Sequence, residues 1–429
     1  MRIVDARTDV RAVRDFAERR AETDPLIETR AREIIERVRR EGDEAVTTLT
    51  RQLDCKFIDS LGLRVSEKEI AGAYAQVDRA VLQALRLARA NISRFHRRQV
   101  QRSWELRRGG SRLGQRFSPL ERVGVYVPGG KAAYPSTVLM NAVPARIAGV
   151  KEIVMATPCS QEGKIAPEVL VAAAECGITE IYRMGGAQAV AALAYGTESI
   201  PRVEKITGPG NAYVAAAKRL VFGTVGIDMI AGPTEVVIVA DATARPELIA
   251  ADLIAQAEHD ELAAPIVVLL AERLVAGIER EVAAQLARAP RQSIARKAFD
   301  GQGRIILARD RDRAAAIVNL IAPEHLELML ARPRHFAAKI RNAGSIFLGR
   351  WSTEAMGDYV AGPNHTLPTS GSARFSSPLG VADFTRFTNV IELNEKAFRR
   401  LAPAVETLAR AEGLFGHAAS VSIRREKKL

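Results

Sequence analysis

What this 429-residue chain lacks narrows its class before any motif is read. Its three cysteines, Cys55, Cys159 and Cys176, form no CxxC pair and leave an odd number. That argues against a disulfide framework and a thiolate zinc cluster, and fits a reducing compartment. No apolar run reaches the length of a membrane span. The opening "MRIVDARTDVRAVRDF" carries charges where a secretory leader needs an apolar stretch, so a cytoplasmic protein is expected. No GxGxxG follows any strand-like run, which removes the usual dinucleotide fingerprint. A catalytic cysteine is the alternative to weigh, since aldehyde oxidation often runs through a thiohemiacetal. Yet Cys176 in "EVLVAAAECGI" reads as a buried helix end and Cys159 in "TPCSQEG" follows a strand, so all three read as small buried hydrophobes.

What is present fits a large α/β protein. The chain is 47% hydrophobic and long enough for two or more α/β units sharing a core. Its formal charge of +12 is partly concentrated between positions 94 and 116, where eight arginines face one glutamate. Phe95 and Trp104 could stack on bases there. No recognised nucleic-acid module accompanies the run, so a solvated helix followed by an Arg-rich hairpin is expected, and nucleic acid is not expected as a partner.

Residues from about 23 to 100 read as helices, with apolar positions at three- and four-residue spacing and a capping-box pattern in "SEKEIAGAYAQV". From Val123 onward the pattern changes to strands alternating with helices. "VGVYVPGG", "EIVMATP", "EIYRMGG", "VEKITGPG" and "TEVVIVAD" are followed by a second series, "APIVVLLA", "GRIILAR" and "AGSIFLG". Such alternation predicts crossover units and parallel sheets in two α/β halves. The tail after about 375 reads as a small separate lobe. Three Gly-rich turns, "PGGKAAYPST", "MGGAQA" and "TGPGNAY", each join a strand to a helix at one end of a sheet, where backbone N–H groups and helix N-termini can hold phosphate or a polar ligand.

Of six histidines, His96 and His335 lie among arginines and read as surface residues. In "DLIAQAEHDE", Gln256 and His259 are three apart and share a helical face, whereas Glu258 and Asp260 point elsewhere. An amide oxygen and an imidazole nitrogen would suit a borderline divalent ion such as Zn²⁺; the alternative is the solvated end of a helix. "IAPEHLELML" places Glu324 and His325 in what reads as a first helical turn, a position that favours neutral imidazole. A simple polar cap is the competing reading. Asp358 and His365 in "MGDYVAGPNHTLPT" are both ligand candidates by spacing, and Glu412 and His417 in "ARAEGLFGHAAS" are either site groups or caps.

Taken together, "VGVYVPGG", "GGAQAVAAL", "GPGNAYV", "DMIAGPTE", "DLIAQAEHD", "APEHLE", "GDYVAGPNHTLPT" and "EGLFGH" resemble the histidinol dehydrogenases, in order over nearly the whole chain. The resemblance implies an enzyme that oxidises L-histidinol to L-histidine through L-histidinal with two NAD⁺ and a zinc ion, in histidine biosynthesis. Carried over by position, Gln256, His259, Asp358 and His417 would hold zinc, and His365 would not. Glu324 and His325 would be the acid–base pair. Thr234, His325 and Glu412 would contact substrate together with the four ligands, and Tyr126, Gln188 and Asn211 would contact NAD. The implied fold has two incomplete Rossmann-like parallel-sheet domains in an intertwined homodimer with shared active sites. Its pieces would be an N-terminal segment 1–22, a discontinuous domain of 23–122 with 235–375, an NAD-binding domain 123–234, and a dimer-contacting lobe 376–429. Glu261, where proline is common after "EHD", and the strength of the Arg-rich run depart from the pattern without touching a matched residue.

Two rival readings stand beside this one. A paralogous zinc and NAD dehydrogenase of another small polar alcohol, such as a sulfonated diol, would keep the Glu–His pair but need not keep Glu412. A metal-dependent hydrolase, or a binding protein using the basic run for nucleic acid, would form no NADH.

Overall fold

The computed structural model describes residues 1–19, 24–129 and 132–426. The expected boundary at 22/23 and the middle of the first Gly-rich turn lie outside the described residues. Along the chain the strands are β1 (Arg2–Asp5), β2 (Trp104–Arg108), β3 (Ser111–Pro119), β4 (Arg122–Tyr126), β5 (Glu152–Thr157), β6 (Glu180–Arg183), β7 (Lys205–Thr207), β8 (Gly226–Ile227), β9 (Glu235–Ala240), β10 (Ala264–Leu269), β11 (Arg304–Leu307), β12 (His325–Met329), β13 (Ser345–Leu348) and β14 (Thr385–Leu393).

Two of the three sheets are wholly parallel. One runs β6-β5-β4-β7-β8 and the other β1-β11-β10-β9-β12-β13. Counted within its own half, each has the doubly wound order 3-2-1-4-5, with β1 added at the outer edge of the second. Helices on both faces require strands that are apolar on both faces, and "EVVIVA" of β9 and "APIVVL" of β10 are buried at every position. Alternate residues feed opposite cores: Val236 and Ile238 join one cluster, Val237 and Val239 the other. The expected α/β class is therefore observed.

The family resemblance groups residues 23–122 with 235–375. In the structure, helix Pro25–Leu53 packs on helices Gly186–Tyr195 and Ala212–Val221, and helix Arg79–His96 packs on Pro135–Ala148, so these segments cover the five-stranded sheet. Ile35, Val38 and Val46 form the stripe that does so. The capping box at Ser66 and Glu69 is present. His96, expected at the surface, is fully buried, its Nδ1 on the Ile92 carbonyl one turn back. Its arginine neighbours hid a core-facing position. His335 is exposed as expected. All three cysteines are buried free thiols, and burial pushes Cys159 and Cys176 up to about 12.

The chain divides into two compact units, one of 1–99 with 120–384 and one of 100–119 with 385–429. The second contains the antiparallel sheet β14-β3-β2 and helices Glu395–Ala411 and Phe415–Glu426. The Arg-rich run thus ends as the expected hairpin. Its pairing with β14, over 265 residues downstream in sequence, left no local signal.

One buried ion pair fixes the turn after β7. Lys218 and Asp228 are both nearly inaccessible and bonded to each other. Lys218 Nζ also donates to the Gly208 carbonyl at 2.9 Å, and Asp228 accepts from the Gly208 N–H at 2.8 Å. Gly208 has φ +110°, and a Cβ there would collide with the Tyr126 carbonyl oxygen, so the backbone lies against β4 only as glycine. Replacing Lys218 by Met leaves a buried carboxylate without its cation. We expect a loss of about 3–5 kcal/mol in urea unfolding, and a change below about 1 kcal/mol would contradict this role.

Candidate active site and metal centre

The amino ends of β9 and β12, the switch point of the six-stranded sheet, gather most of the candidate residues. This departs from the usual rule that ligands lie beyond the carboxyl ends of parallel strands. The "IAPEHLELML" segment is the reason. Helix Arg311–Ile321 ends with Ala322 in the left-handed region at φ 51°, Pro323 prevents its continuation, and His325 opens strand β12 instead of a helix. The expectation of a helical first turn is corrected here: "HLELM" is buried at every position, and a short apolar run between two strands reads either way.

Glu324 and His325 are then held from β9. Glu324 Oε2 accepts from Thr234 Oγ1 at 2.6 Å and from the Glu235 N–H at 2.9 Å. His325 Nδ1 lies 3.2 Å from the Glu235 carbonyl, which holds a proton on Nδ1 and makes Nε2 the nitrogen that gains or loses one. Nε2 is buried without a hydrogen bond, 3.5 Å from Asp358 Oδ1. Asp358 comes from the short helix Glu354–Tyr359, whose first residue, Glu354, lies 4.0 Å from His325 Nδ1. The Glu354 N–H donates at 2.6 Å to Glu327 of β12, so the helix is anchored to the strand that carries the histidine.

Helix Pro246–Ala257 brings Gln256 and His259 to the same edge. Its carboxyl end places Gln256 fully buried and His259 half-buried. His259 Nδ1 bonds the Ala255 carbonyl at 3.0 Å, leaving Nε2 open as a donor atom for a metal. The Gln256 amide lies between Thr234 Oγ1, at 2.5 Å, and the Glu354 carboxylate. With its nitrogen toward Glu354 the amide donates to that carboxylate, and its oxygen faces Thr234 Oγ1 and the Glu235 N–H. With its oxygen toward Glu354 two acceptors face each other, an arrangement that a cation would stabilise. His365 is near but secondary: its Nδ1 is on the Asp358 carbonyl at 2.9 Å and its Nε2 is 3.5 Å from Thr137 Oγ1.

The electrostatics call for a cation. Burial pushes Glu324 up to about 7 against the opposing effects of His325 and Thr234, and pushes Glu354 up to about 8. Burial alone would depress His325, but the carboxylates of Glu354, Glu324 and Asp358 push it up to about 10. Asp358 resists its burial and stays below the usual range because His325, His365 and His259 surround it. Among the described residues no lysine or arginine pairs with Glu324, Glu354 or Asp358. A buried cluster with excess negative charge, an open imidazole nitrogen and an amide oxygen fits zinc. His325, Glu354 and Asp358 present ligand atoms within 4.8 Å of one another.

Glu412 and His417 belong to the second unit and are exposed, on either side of the turn at Gly413. Tyr126 ends β4, its hydroxyl accepting from the Gly186 N–H at 3.1 Å. Gln188 is 1% exposed in the helix after β6. Asn211 is exposed and caps its own helix, accepting from Tyr213 and Val214 N–H. The Gly-rich turns thus differ from expectation in one respect. Several of their helix-terminal N–H groups are already bonded to Tyr126, Asn211 and Asp54, so they are not open for a phosphate. The helix that follows β4 meets the loop of His365: Asn364 Nδ2 donates to the Met140 carbonyl at 2.6 Å, and Thr137 faces His365.

Sequence reasoning missed Glu354, Glu327 and Asp54. Glu354 had a signal, since it stands four residues before Asp358 and shares its helical face; Glu327 stands two after His325 on one strand face.

Two doubly wound parallel sheets with a buried acid–base cluster suited to a divalent cation define a metal-assisted oxidoreductase of the α/β class. A family model for histidinol dehydrogenase matches residues 17–425. The chain is 51% identical over 429 residues to the histidinol dehydrogenase of Geobacter sulfurreducens, covering 99% of this chain and 100% of that one. It is 51% identical over 398 residues to that of Bacillus licheniformis, covering 92% and 93%. The crystal structure of histidinol dehydrogenase from Elizabethkingia anophelis superimposes with a TM-score of 0.93 at 37% identity, covering 99% of this chain and 98% of that one. The chain belongs to the histidinol dehydrogenase family, NAD-dependent oxidoreductases that use zinc.

Asp358, 3.5 Å from His325 Nε2 and influenced by the charge of His259, is a candidate ligand for a metal in this cluster. Asp358→Asn should weaken zinc binding by roughly 10–100-fold in competition with a chromophoric chelator, while the protein stays folded. Unchanged affinity would remove Asp358 from the metal centre.

Proposed function

We propose that this chain carries out the four-electron oxidation of L-histidinol to L-histidine in histidine biosynthesis, with Glu324 and His325 as its acid–base pair. The observation that carries the reading is their joint fixation by Thr234 and Glu235 beside Asp358. Gln256, His259 and Asp358 would hold zinc with His417 of the partner subunit. Bound there, zinc supplies a Lewis-acid clamp for the substrate's amine and imidazole nitrogens, and its charge offsets the carboxylate field around His325.

In the first half-reaction the open Nε2 of His325 takes the hydroxyl proton as a hydride passes from the carbinol carbon to NAD⁺, giving the aldehyde and NADH. Glu324, set near pKa 7, then accepts a proton from water as it adds to the aldehyde, while His325 returns its proton to the carbonyl oxygen, giving the diol and freeing its Nε2. His325 takes the hydroxyl proton of the resulting diol while a second NAD⁺ takes its hydride, leaving the carboxylic acid. No thiol enters, in keeping with three buried, unreactive cysteines.

Tyr126, Gln188 and Asn211 would contact NAD, and Thr234 and Glu412 the substrate, Glu412 through its imidazole. Two features support a homodimer with shared sites. Trp351, Met356 and Tyr359 are exposed around the helix carrying Asp358, and Leu408, Leu414 and Phe415 are exposed around Glu412 and His417. Apolar surfaces of this kind beside polar site groups fit burial against a second copy. No helix among the described residues is long and apolar enough to cross a membrane, and a cytoplasmic location fits three free thiols. The relatives reported above give no support to an enzyme of another small polar alcohol.

Three variants separate the roles. His325→Asn should lose turnover by about 10²–10⁴-fold yet retain zinc, and undiminished turnover would refute the base assignment. Glu324→Gln should slow NADH formation from histidinal much more than the first oxidation. In the native protein the aldehyde step should rise as pH increases through about 7, because Glu324 accepts a proton only when ionised. Equal losses in both steps would contradict its part. His417→Asn should weaken zinc binding.

A further inference from the structure

The turn after β6 is held from outside its own sheet. Asp54 lies just beyond helix Pro25–Leu53, in a stretch with no motif character, and its backbone N–H closes that helix on Thr50. Its Oδ2 accepts from the Gly185 N–H at 3.0 Å and from Gln188 Nε2 at 3.3 Å, spanning more than 130 residues of sequence. With the Gln188 amide nitrogen so engaged, its Oε1 is left buried without a partner. The next N–H, that of Gly186, goes to the Tyr126 hydroxyl. A Cβ on Gly186 would press on Gln188 Oε1, so glycine there, at φ +60°, keeps space beside that oxygen.

A buried amide oxygen with no bond is costly unless something donates to it. The orientation that exposes this need is set by Asp54, because a carboxylate accepts only and so selects the amide nitrogen. We infer that Asp54 is a positioning residue of the NAD site: it turns Gln188 Oε1 toward the cofactor as an acceptor for a hydroxyl or amino N–H of the dinucleotide, and fixes the Gly185–Gly186 turn that approaches it. The inference rests on the reading of Gln188 as an NAD contact. It assigns Asp54 no contact with the reacting atoms.

The test is binding and turnover in the full-length, zinc-loaded protein. NADH affinity is read by fluorescence titration, and steady-state rates with histidinol give KM for NAD⁺ and kcat separately. Asp54→Ala should weaken NADH binding and raise KM for NAD⁺ about tenfold with kcat changed less than about threefold. Asp54→Asn, which keeps an acceptor oxygen in place, should restore binding to within about threefold of the native protein. Asp54→Ala combined with Gln188→Ala should be no weaker than Gln188→Ala alone. If Asp54→Ala does not fold, Asp54→Glu, which displaces the carboxylate but keeps its charge, carries the same expectation. Gln188→Ala weak and Asp54→Ala unchanged would overturn the inference and leave the NAD reading intact. Gln188→Ala binding NADH as the native protein does would overturn the reading itself. Losses in Asp54→Asn equal to those in Asp54→Ala would reduce Asp54 to a folding role and also overturn it.

Discussion

The rest of the site depends on a charge imbalance that the fold maintains at the start of β12. Glu324, Glu354 and Asp358 are brought together with His325 in a buried space, and no lysine or arginine pairs with them among the described residues. Water cannot screen these charges, so the groups must shift their protons or share a cation. The same imbalance that raises Glu324 and Glu354 makes the place suitable for zinc, and a carboxylate near pKa 7 is suited to moving protons at neutral pH.

Each part of the fold answers to that constraint. β9 supplies the backbone groups that fix both Glu324 and His325. The strand carrying His325 also anchors, through Glu327, the helix carrying Asp358, so the two side chains keep their spacing. A second parallel sheet has the same strand order, and its first crossover helix touches the loop of His365.

Much of this was legible in the sequence. The strands of both sheets announced themselves as short β-branched runs, and Gln256 with His259 followed from a three-residue spacing. The wrong expectation for "APEHLE" came from reading Pro-Glu-His as a helix start, where a left-handed Ala322 and flanking strands decide otherwise. His96 was misplaced because its arginine neighbours outweighed its spacing from Ile92. Asp54, the packing of residues 25–96 and the pairing of β14 with β3 are contacts between distant segments, and nothing local encodes them. Several N–H groups expected to be open in the Gly-rich turns are bonded to side chains from elsewhere in the sequence, such as Asp54 and Tyr126.

The central claim is that one buried acid–base pair drives two successive oxidations beside one metal. The direct measurement is product stoichiometry: purified, zinc-loaded protein is given limiting L-histidinol and excess NAD⁺, and NADH and histidine are both quantified. The account predicts two NADH for each histidine, no accumulating aldehyde, and loss of both products after zinc is removed by a chelator. One NADH for each histidinol with released histidinal, or undiminished turnover without metal, would contradict it.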